Sequence, residues 1–567
     1  MYRCFPFSLM LLWLLCAQAA AAAACGEPGA SIHELKGYSG EPADPGTAVE
    51  VEGVISGAFH GGDALKGFYL QQTARPDGDG LPAGLFVYAP ALDRAARDRA
   101  AAGHHVRVKA RVSEFRGQLQ LSRVSRINLC GEPGLPEAQP LSLPPEDADT
   151  LARMEGLKVV LPQTLTVTGN DQLVRYGTLD LAADGRLFRP TNFVDHDSAR
   201  NHGRRLILDD GSYRSFPESV PYLDEHGTRR TGSTLDGLTG VLAWAFDDYR
   251  LHPTRPPQFV DANPRPSPPE AVSDGIRVAA FNVQNYFITL GRRGAATRAQ
   301  LQRQRERLVA ALHAVDADVV GLMEMENDPA AVADLLEHLN DGRPVDRHYR
   351  HLRGPASTGT DEIKVSLVYR PARVRSLGPL LRDGAEPHLR PPAVARLAPV
   401  DGGEDAAFAV ATVHFKSKTR CPSQGDVDRG QGCWNQLRVA QAAALLEFMQ
   451  QLEEPGLVIG DINAYGAEDP VRVFTDHGFS DLLADHVPRA QRYTYVFRGE
   501  SGYLDYLLAA SPLAGEDVAP GIWHVNADEP RFLGYDGRYP SAADGTPYRS
   551  SDHDPLWVDL PLSLFLP

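Results

Sequence analysis

Two proline-rich stretches interrupt the pattern of hydrophobic and polar positions along the chain. They are "GEPGLPEAQPLSLPPED" at residues 131–147 and "ANPRPSPPEAVSDG" at residues 262–275. Because proline cannot continue a helix or a central strand, both stretches are predicted to be linkers. The hydrophobic pattern changes across each linker, which predicts three regions at residues 25–133, 134–266 and 272–562.

The first region alternates apolar and polar residues in five short runs, which is the period of a half-buried strand. The runs are "AVEVEGVISG", "GFYLQQT", "GLFVY", "HHVRVKARVSEF" and "QLQLSRV", with turn residues between them. This pattern predicts a small antiparallel β barrel of the OB type. Such barrels often bind single-stranded nucleic acid, and Phe68, Tyr69, Phe115 and Arg116 are candidate contacts. A place in the barrel core is the alternative for the aromatic residues.

The third region combines apolar strands with helices, whereas the middle region is β-rich and has no motif that indicates a chemistry. A buried strand is predicted at residues 276–281, and a helix follows it with Leu301, Leu308, Leu312 and Val315 on one stripe. The later apolar strands lie in "DVVGLM", "IKVSLVYR", "FAVATVHFKSK", "GLVIGDINAY" and "YLDYLL". The third region is therefore predicted to be an α/β fold.

Polar residues follow most of these apolar strands, in "FNVQN", "GLMEMEN", "VHFKSK" and "GDINAY", and the polar residues of "SDHDPL" come just before the last apolar run. Capping and turns explain one such strand end, but five or more in one region indicate ends that converge on one site. Oxygens of Glu, Asp and Asn suit a hard divalent cation such as Mg²⁺ or Mn²⁺, with Ca²⁺ as an alternative. Histidines beside carboxylates suit proton transfer or charge stabilisation at a phosphate. The pattern predicts metal-assisted phosphodiester hydrolysis.

The first 24 residues are typical of a secretory signal peptide. An early arginine precedes an apolar core at residues 5–15, and an alanine run then offers cleavage sites. The apolar core is shorter than the roughly 20 residues that span a bilayer, and no later segment is long enough, so no membrane span is expected. The sequence predicts a protein that is exported from the cell, with the periplasm as the alternative location.

Four cysteines remain after the predicted signal peptide is removed. An even number in an exported chain indicates two disulfides, and pairing within each region gives Cys25 with Cys130 and Cys421 with Cys433. The alternative, a zinc site, would need short C-x-x-C spacings that the chain lacks.

The formal net charge is −16, which is unlike the basic face of proteins that hold DNA by bulk electrostatics. A local basic surface is still predicted. Residues 291–307 contain six arginines, and Lys416, Lys418 and Arg420 follow His414. A solvated helix face is the alternative for such a charge run, but the position beside the predicted site favours contact with a phosphate backbone.

The order of "FNVQN", "GLMEMEN", "VHFKSK", "GDINAY", "YLDYLL" and "SDHDPL" resembles that of the endonuclease/exonuclease/phosphatase superfamily over residues 275–562. The "CPSQGDVDRGQGC" insert, "YTYVFRGESGYLDY", "WHVNADEP" and the OB-like region are similar to secreted bacterial extracellular nucleases. The resemblance implies a sandwich of two sheets flanked by helices. It also implies a metal-dependent nuclease that acts on extracellular DNA, with RNA as an alternative, and leaves 5′-phosphates.

The resemblance assigns a role to each matched residue. Glu324 matches the metal-binding glutamate, with Asn282 beside the metal, and Asp552 with His553 matches the closing Asp-His pair. Further matched positions are Asp461 and Asn463, which orient the attacking water and the phosphate; Asp505, which orients His553; and His414, a second phosphate-facing histidine. Asp461 and His553 are both candidates for the general base, and the choice stays open. Glu326 is a candidate for a supporting acid, and Asp554 is predicted to belong to the turn.

Two other function classes remain open at this stage. One is a phosphatase or phospholipase of the same fold, because the catalytic residues alone do not distinguish it from a nuclease. The other is a surface protein that binds nucleic acid without catalysis. The nuclease-like flanking motifs argue against a phosphatase or phospholipase. All the polar positions that match the family carry residues competent for catalysis, which argues against a non-catalytic binding protein. A monomer is expected.

Overall fold

The structure is a computed structural model of the 567-residue chain, and it describes residues 24–38, 40–72, 82–195, 201, 203–272, 274–354, 357–402, 406–537 and 545–565. The predicted signal peptide lies outside these residues except for Ala24. The described chain divides into two compact units. One contains the residues up to His60 and Lys66–Pro136, and the other contains Gly61–Leu65 and the residues from Glu137 onward.

The first unit is a closed five-stranded barrel, as the alternating pattern predicts. Its elements are α1 (Ile32–Leu35), β1 (Ala48–Phe59), β2 (Gly67–Gln72), β3 (Ala83–Tyr88), α2 (Arg94–Arg99), β4 (His105–Phe115) and β5 (Gln118–Gly131). The strand order around the barrel is β1-β2-β3-β5-β4. The pairing is antiparallel except between β3 and β5, which run parallel.

Two of the four nucleic-acid contacts predicted for the barrel are wrong. Phe68 and Tyr69 are both buried, Phe68 in the barrel core and Tyr69 against Phe59 and Phe86. Phe115 is 58% exposed, and the Arg116 guanidinium lies 5.5 Å from its ring. Nucleic-acid binding by the barrel therefore stays a prediction that rests on Phe115 and Arg116.

The middle region folds around a nine-stranded sheet, called the middle sheet below. Its elements are β6 (Gln139–Pro140), α3 (Thr150–Met154), β7 (Lys158–Leu161), β8 (Leu165–Gly169), α4 (Leu173–Tyr176), β9 (Thr178–Ala183), β10 (Leu187–Phe188), β11 (Arg205–Asp209), β12 (Thr234–Leu235), β13 (Leu238–Ala245), β14 (Asp248–Pro253) and β15 (Phe259–Val260). The strand order is β15-β12-β8-β9-β11-β14-β13-β7-β6, so β10 is not part of this sheet. Leucines and valines of these strands form one core with Phe532 and Leu533.

The third region contains the remaining strands and five helices of the described chain. They are β16 (Gly275–Tyr286), α5 (Arg298–Val315), β17 (Val319–Glu326), α6 (Pro329–Asn340), β18 (Arg350–His351), β19 (Ile363–Tyr369), β20 (Val374–Ser376), β21 (Leu381–Arg382), β22 (Ala393–Pro399), β23 (Phe408–His414), α7 (Asn435–Met449), β24 (Gly456–Asp461), α8 (Asp469–Thr475), β25 (Phe479–Asp481), α9 (Leu482–His486), β26 (Tyr495–Phe497), β27 (Glu500–Gly502), β28 (Asp505–Ala510), β29 (Ala519–Ile522) and β30 (Leu556–Pro561).

Two sheets of the third region pack face to face, which confirms the predicted α/β sandwich. Their strand orders are β18-β19-β17-β16-β30-β29 and β20-β22-β23-β24-β28-β25, with β21 beside β22. Side chains such as Val278 and Met323 of the first sheet share a core with Val413 and Ile459 of the second. Helices α5 and α6 pack their apolar stripes on the outer face of the first sheet. The four predicted stripe residues of α5 are all buried.

The middle region and the third region belong to one compact unit. Strand β10 pairs in parallel with β27, which pairs in turn with β26, so a small three-stranded sheet joins the two regions. The division of the chain into three domains stays a prediction. Among the described residues, every helix is too short or too polar to cross a bilayer.

Candidate active site

The ends of four strands bring the predicted site residues together at one edge of the sandwich. Strands β16 and β17 run parallel in one sheet, and β23 and β24 run parallel in the other. Asn282 lies on β16 and Glu324 on β17, while His414 and Asp461 end β23 and β24 and are register partners. The carboxyl ends of parallel strands meet at the same edge of a sheet, which is why sequence spacing alone predicts this convergence.

The closest contacts at this edge join one amide, one imidazole and two carboxylates. Asn282 Nδ2 lies 3.3 Å from Asp461 Oδ2 and 3.4 Å from Glu324 Oε1. His414 Nε2 lies 3.4 Å from Asp461 Oδ2 and 3.9 Å from Glu324 Oε1. Asp461 Oδ1 accepts the backbone N–H of Asn463 at 2.7 Å, and Asn463 Nδ2 donates to the Phe415 carbonyl at 3.1 Å. These contacts form one connected polar cluster, whose members are Asn282, Glu324, His414, Asp461 and Asn463.

A buried histidine–aspartate pair completes the cluster. His553 Nδ1 lies 2.8 Å from Asp505 Oδ2, and because a carboxylate only accepts, Nδ1 is the donor. The Thr494 hydroxyl donates to the same oxygen at 2.6 Å. Asp505 is the register partner of Asp461, so the pair stands next to the cluster. Asp461, Asp505 and His553 each place one ligand atom within 4.8 Å of the others. The aspartate therefore fixes the imidazole orientation toward the site.

The environment sets the two histidines to opposite protonation states. Burial lowers the pKa of His553, but the charges of Asp505, Asp552 and Asp461 outweigh it, so its pKa lies well above the usual value. Burial and the nearby Arg390 charge lower the pKa of His414 well below the usual value. At neutral pH, His553 is a cation and His414 is neutral. Such a separation is typical of sites that assign different roles to two similar groups.

Both acids at the strand ends have raised pKa values. Burial and the Asp505 charge raise the pKa of Asp461 to about 7. Burial and the Asp552 charge raise the pKa of Glu324. An acid with a pKa near the working pH is suited to exchange a proton during a reaction. Asp461 therefore has the properties of a general base.

The donor set at Glu324 fits a hard divalent cation. The carboxylates of Glu324 and the half-buried Asp552 repel each other, and a cation between them would remove that repulsion. Glu324 also has a left-handed backbone, with φ of 62°, and such strain in a non-glycine residue is concentrated at functional sites. Asn282 presents its Nδ2 to the two acids while its Oδ1 accepts the Gln284 N–H, so in this orientation it supports the carboxylates, and its place beside the metal stays a prediction.

The three predicted substrate-binding residues differ in their surroundings. The Lys416 ammonium lies 5.2 Å from the Trp434 ring centre, and Arg420 is exposed. The Lys418 ammonium pairs with the buried Glu468 and donates to the Gln431 carbonyl, and burial lowers its pKa to about 8. Lys416 and Arg420 are thus better placed than Lys418 to contact a substrate phosphate.

Only part of the arginine-rich segment is available to a substrate. Arg307 is fully buried and donates to the Leu533 carbonyl, and Arg305 pairs with Asp334 at 2.8 Å. Arg292 and Arg293 each pair with an acid at the surface. Arg305 and Arg307 therefore hold the fold together, and contact between the exposed arginines and a phosphate backbone stays a prediction.

The two extra acids of the motifs have structural contacts. Glu326 accepts the backbone N–H groups of Ile288 at 2.8 Å and Thr289 at 3.1 Å, so it orders the segment after β16. Asp554 accepts the N–H groups of Asn526 at 2.8 Å and Ala527 at 3.0 Å. Asp554 therefore ties the segment after His553 to residues 526 and 527, and its assignment to the turn stays a prediction.

Arg390 is a residue of the site that the sequence did not indicate. Its guanidinium donates to the carbonyls of His414 at 2.9 Å and Phe415 at 2.5 Å, and to Asp361 at 2.9 Å. It therefore fixes the segment that leaves β23 and holds a positive charge near the acids. No motif marks it, because it lies in an irregular loop between β21 and β22.

Both predicted disulfides are present, one joining Cys25 to Cys130 and the other Cys421 to Cys433. The second closes the loop after His414, and the indole of Trp434 donates to the carbonyls of Thr419 at 3.1 Å and Arg420 at 3.2 Å. The loop that presents Lys416 and Arg420 is therefore tied at both ends.

Residues 279–553 match the model of the endonuclease/exonuclease/phosphatase family. One similar solved structure is D. rerio TDP2 with a single-stranded DNA product, which is 17% identical, with a TM-score of 0.34, over 50% of this chain and 98% of that chain. The human nocturnin catalytic domain is 18% identical over 50% and 93% of the two chains, with a TM-score of 0.34. A mannosyl-6-phosphatase from Bacteroides thetaiotaomicron is 16% identical over 50% and 99%, also with a TM-score of 0.34.

No curated protein matches the chain. The family match spans the strands and turns that place Asn282, Glu324, His414, Asp461 and His553 at one edge of the sandwich. The candidate site thus lies within residues 279–553, the part of the chain that matches the endonuclease/exonuclease/phosphatase family.

Proposed function

We propose that this protein is an exported, divalent-metal-dependent nuclease that hydrolyses phosphodiester bonds of extracellular DNA and leaves 5′-phosphate ends. The main support is one arrangement: the buried His553–Asp505 pair stands beside Asp461 and Glu324 at the ends of the central strands. The family match supports hydrolysis of phosphate esters. The predicted signal peptide and the two disulfides support export.

Glu324 and Asp552 would hold the cation, which supplies charge neutralisation at the phosphate and a more reactive phosphorus centre. Asp461, with a pKa of about 7, takes a proton from the attacking water. The water oxygen forms a bond to phosphorus while the bond between phosphorus and the 3′ oxygen breaks. The leaving 3′ oxygen takes a proton from a solvent water, the proton on Asp461 returns to solvent, and the phosphate stays on the 5′ side.

His553 acts on the developing negative charge in this scheme. Asp505 keeps the ring oriented and, with the other acids, keeps it cationic, so it is suited to donate to a phosphate oxygen. Neutral His414 offers a second contact without adding charge. Lys416 and Arg420 would hold the phosphate backbone beyond the reacting group, and Asn463 would fix the Asp461 side chain through its backbone N–H.

A substrate panel tests the proposal. Purified mature protein is incubated with circular DNA, linear DNA, RNA and a phosphomonoester, each with Mg²⁺, Mn²⁺ or Ca²⁺ and with EDTA. We expect cleavage of DNA that EDTA abolishes and that added Mg²⁺ or Mn²⁺ restores, with 5′-phosphate ends that ligase can rejoin.

The other function classes give different results in the same panel. Release of phosphate from the monoester without DNA cleavage would identify a phosphatase. Binding of DNA without cleavage under every metal condition would identify a non-catalytic nucleic-acid-binding protein. DNA cleavage that survives full chelation would contradict the metal assignment.

The loop disulfide gives a separate prediction. Replacing Cys421 and Cys433 by serine is expected to raise KM for a short DNA oligonucleotide severalfold, with a smaller fall in kcat, because the loop that presents Lys416 and Arg420 becomes more mobile. Loss of such a ring destabilises a protein by about 2–3 kcal/mol, so the Tm also falls. Steady-state kinetics and thermal denaturation measure both effects, and an unchanged KM would refute the positioning role.

A further inference from the structure

A buried ionic cluster joins the middle region to residues 523–530. This segment precedes the turn that carries His553, residues 550–554, which is called the site turn below. Asp528 is fully buried, and its carboxylate accepts from Arg186 at 2.8 Å and Arg230 at 3.1 Å. Its neighbour Glu529 accepts from Arg230 at 2.6 Å and from Arg265 at 2.9 Å. Three arginines that precede the third region therefore neutralise two consecutive acids within it. The acids lie in "WHVNADEP", at residues 523–530.

A stack of three side chains extends from this cluster. The Arg186 guanidinium lies 4.5 Å from the Tyr493 ring centre, and the His524 ring is stacked on Tyr493 at 4.0 Å with planes 7° apart. The Tyr493 hydroxyl donates to Asp528 at 3.0 Å, which fixes the ring in the stack. Arg186 thus contacts both the acid and the aromatic ring.

His524 then contacts the site turn. Its Nδ1 lies 2.9 Å from Asp554 Oδ2, and its Nε2 lies 3.1 Å from the Gln491 carbonyl. These two contacts and the stack on Tyr493 together fix the position of the His524 ring. Asp554 directly follows His553 in the chain.

Asn526 holds the same turn from the other side. Its Nδ2 donates to the His553 carbonyl at 2.7 Å, and its backbone N–H donates to Asp554 at 2.8 Å. Its Oδ1 accepts from the Ser550 hydroxyl at 3.2 Å and the Ser551 N–H at 3.3 Å. The segment 523–530 therefore binds the turn at Ser550, Ser551, His553 and Asp554, and the middle region binds that segment.

We propose that the middle region positions the active-site turn, with Arg186, Tyr493 and His524 as positioning residues that act through His553. The kinetic test of this inference rests on the proposed function. The inference gives a functional role to the middle region, whose sequence contains no motif that indicates one. Buried ion pairs contribute little to net stability compared with apolar packing, but they restrict a segment to one geometry. Displacement of a reacting group by about 1 Å can lower a rate by up to about 10²-fold.

Arg186→Lys is the most direct test, because it keeps the charge opposite Asp528 and removes the planar group stacked on Tyr493. Arg250→Lys is the matched control. Arg250 lies in the same region, on β14 of the middle sheet, where it is buried, pairs with Asp209 at 2.6 Å and donates to the Ala245 carbonyl, but it contacts none of the positioning residues. Both variants are expected to lower the Tm by similar amounts.

The kinetic results should separate the two variants. Arg186→Lys is expected to lower kcat about 10-fold with KM changed by less than about 3-fold, while Arg250→Lys leaves both near wild type. In a His553→Ala background, Arg186→Lys should lower kcat no further, because its effect passes through His553. Equal kcat values for the two lysine variants, or a full further loss in the His553→Ala background, would overturn the inference.

A second readout does not depend on turnover. In protein labelled with ¹⁵N-histidine, the ring signals of His553, assigned by their loss in His553→Ala, should move in Arg186→Lys and stay in place in Arg250→Lys. Unmoved signals in Arg186→Lys would overturn the positioning role. If the wild-type protein fails to cleave any phosphate ester, the proposed function is wrong, and this measurement still decides whether the middle region positions the turn.

Discussion

Replacing His553 by alanine is expected to lower kcat for DNA hydrolysis by about 10²-fold or more, with KM changed much less and the fold intact. The ring is buried and oriented by Asp505 at 2.8 Å, and three acids keep it cationic. Alanine removes the group that faces the developing charge on the phosphate. The smaller side chain also leaves Asp505 without its main partner, so some loss of Tm is expected as well.

A second buried histidine–aspartate pair provides the control for this loss of stability. His388 is buried, and its Nε2 lies 2.7 Å from Asp383 Oδ2, but it is not part of the polar cluster at the strand ends. His388→Ala should lower the Tm comparably and reduce kcat by no more than a few-fold. If both variants lose the same fraction of kcat, the loss in His553→Ala reflects folding rather than chemistry.

Asp505→Asn tests whether the two residues work as one unit. An amide in place of the carboxylate accepts the His553 Nδ1–H less strongly and no longer favours the cation, so kcat should fall, although less than in His553→Ala. The double variant should be little worse than His553→Ala alone, because residues that act together are not additive. Additive losses in a steady-state assay would show that Asp505 has a separate role.

The fold of the third region could be predicted because its signals are local. The stripe of α5 repeats every three to four residues, and each buried strand is a continuous apolar run, so neither depends on distant contacts. The site followed from the same pattern, because polar residues at the ends of parallel strands must lie at one edge. The same helical period also predicts the burial of one arginine in the segment 291–307. Arg307 precedes the buried Ala311 by four residues, so the helical period already places it on the buried face.

The contacts that support the site could not be predicted from local patterns. The link between Arg230 and Glu529 spans 299 residues, and that between Arg186 and Asp528 joins a loop to a loop. Arg390 likewise contacts the segment after β23 from an irregular loop. In the barrel, the strand period placed Phe68 and Tyr69 on opposite faces but did not show that other aromatic residues cover the second face. Such contacts depend on how elements pack, which periodicity does not encode.

Replacing Glu324 by glutamine is expected to lower activity at a fixed low Mg²⁺ concentration by about 10²-fold, part of which higher Mg²⁺ restores. Loss of supporting interactions around a bound metal typically weakens its binding 10–100-fold, and loss of an anionic ligand is expected to cost at least about as much. Glutamine keeps the shape of the side chain, so the left-handed backbone at this residue can be retained. It removes the anionic oxygen that a hard cation prefers and also the repulsion with Asp552.

Glu326→Gln is the matched control for this prediction, because Glu326 lies two residues further along β17 and its carboxylate accepts the N–H groups of Ile288 and Thr289. It should lower the Tm and leave the Mg²⁺ dependence of kcat unchanged. Titration of activity with Mg²⁺ and direct calorimetry with Mn²⁺ measure the two variants side by side. We expect the binding of Mn²⁺ to weaken only in Glu324→Gln. Equal metal affinities for the wild type and Glu324→Gln would show that the cation binds elsewhere, and the cluster of Asp461, Asp505 and His553 would then be the next set of ligands to test.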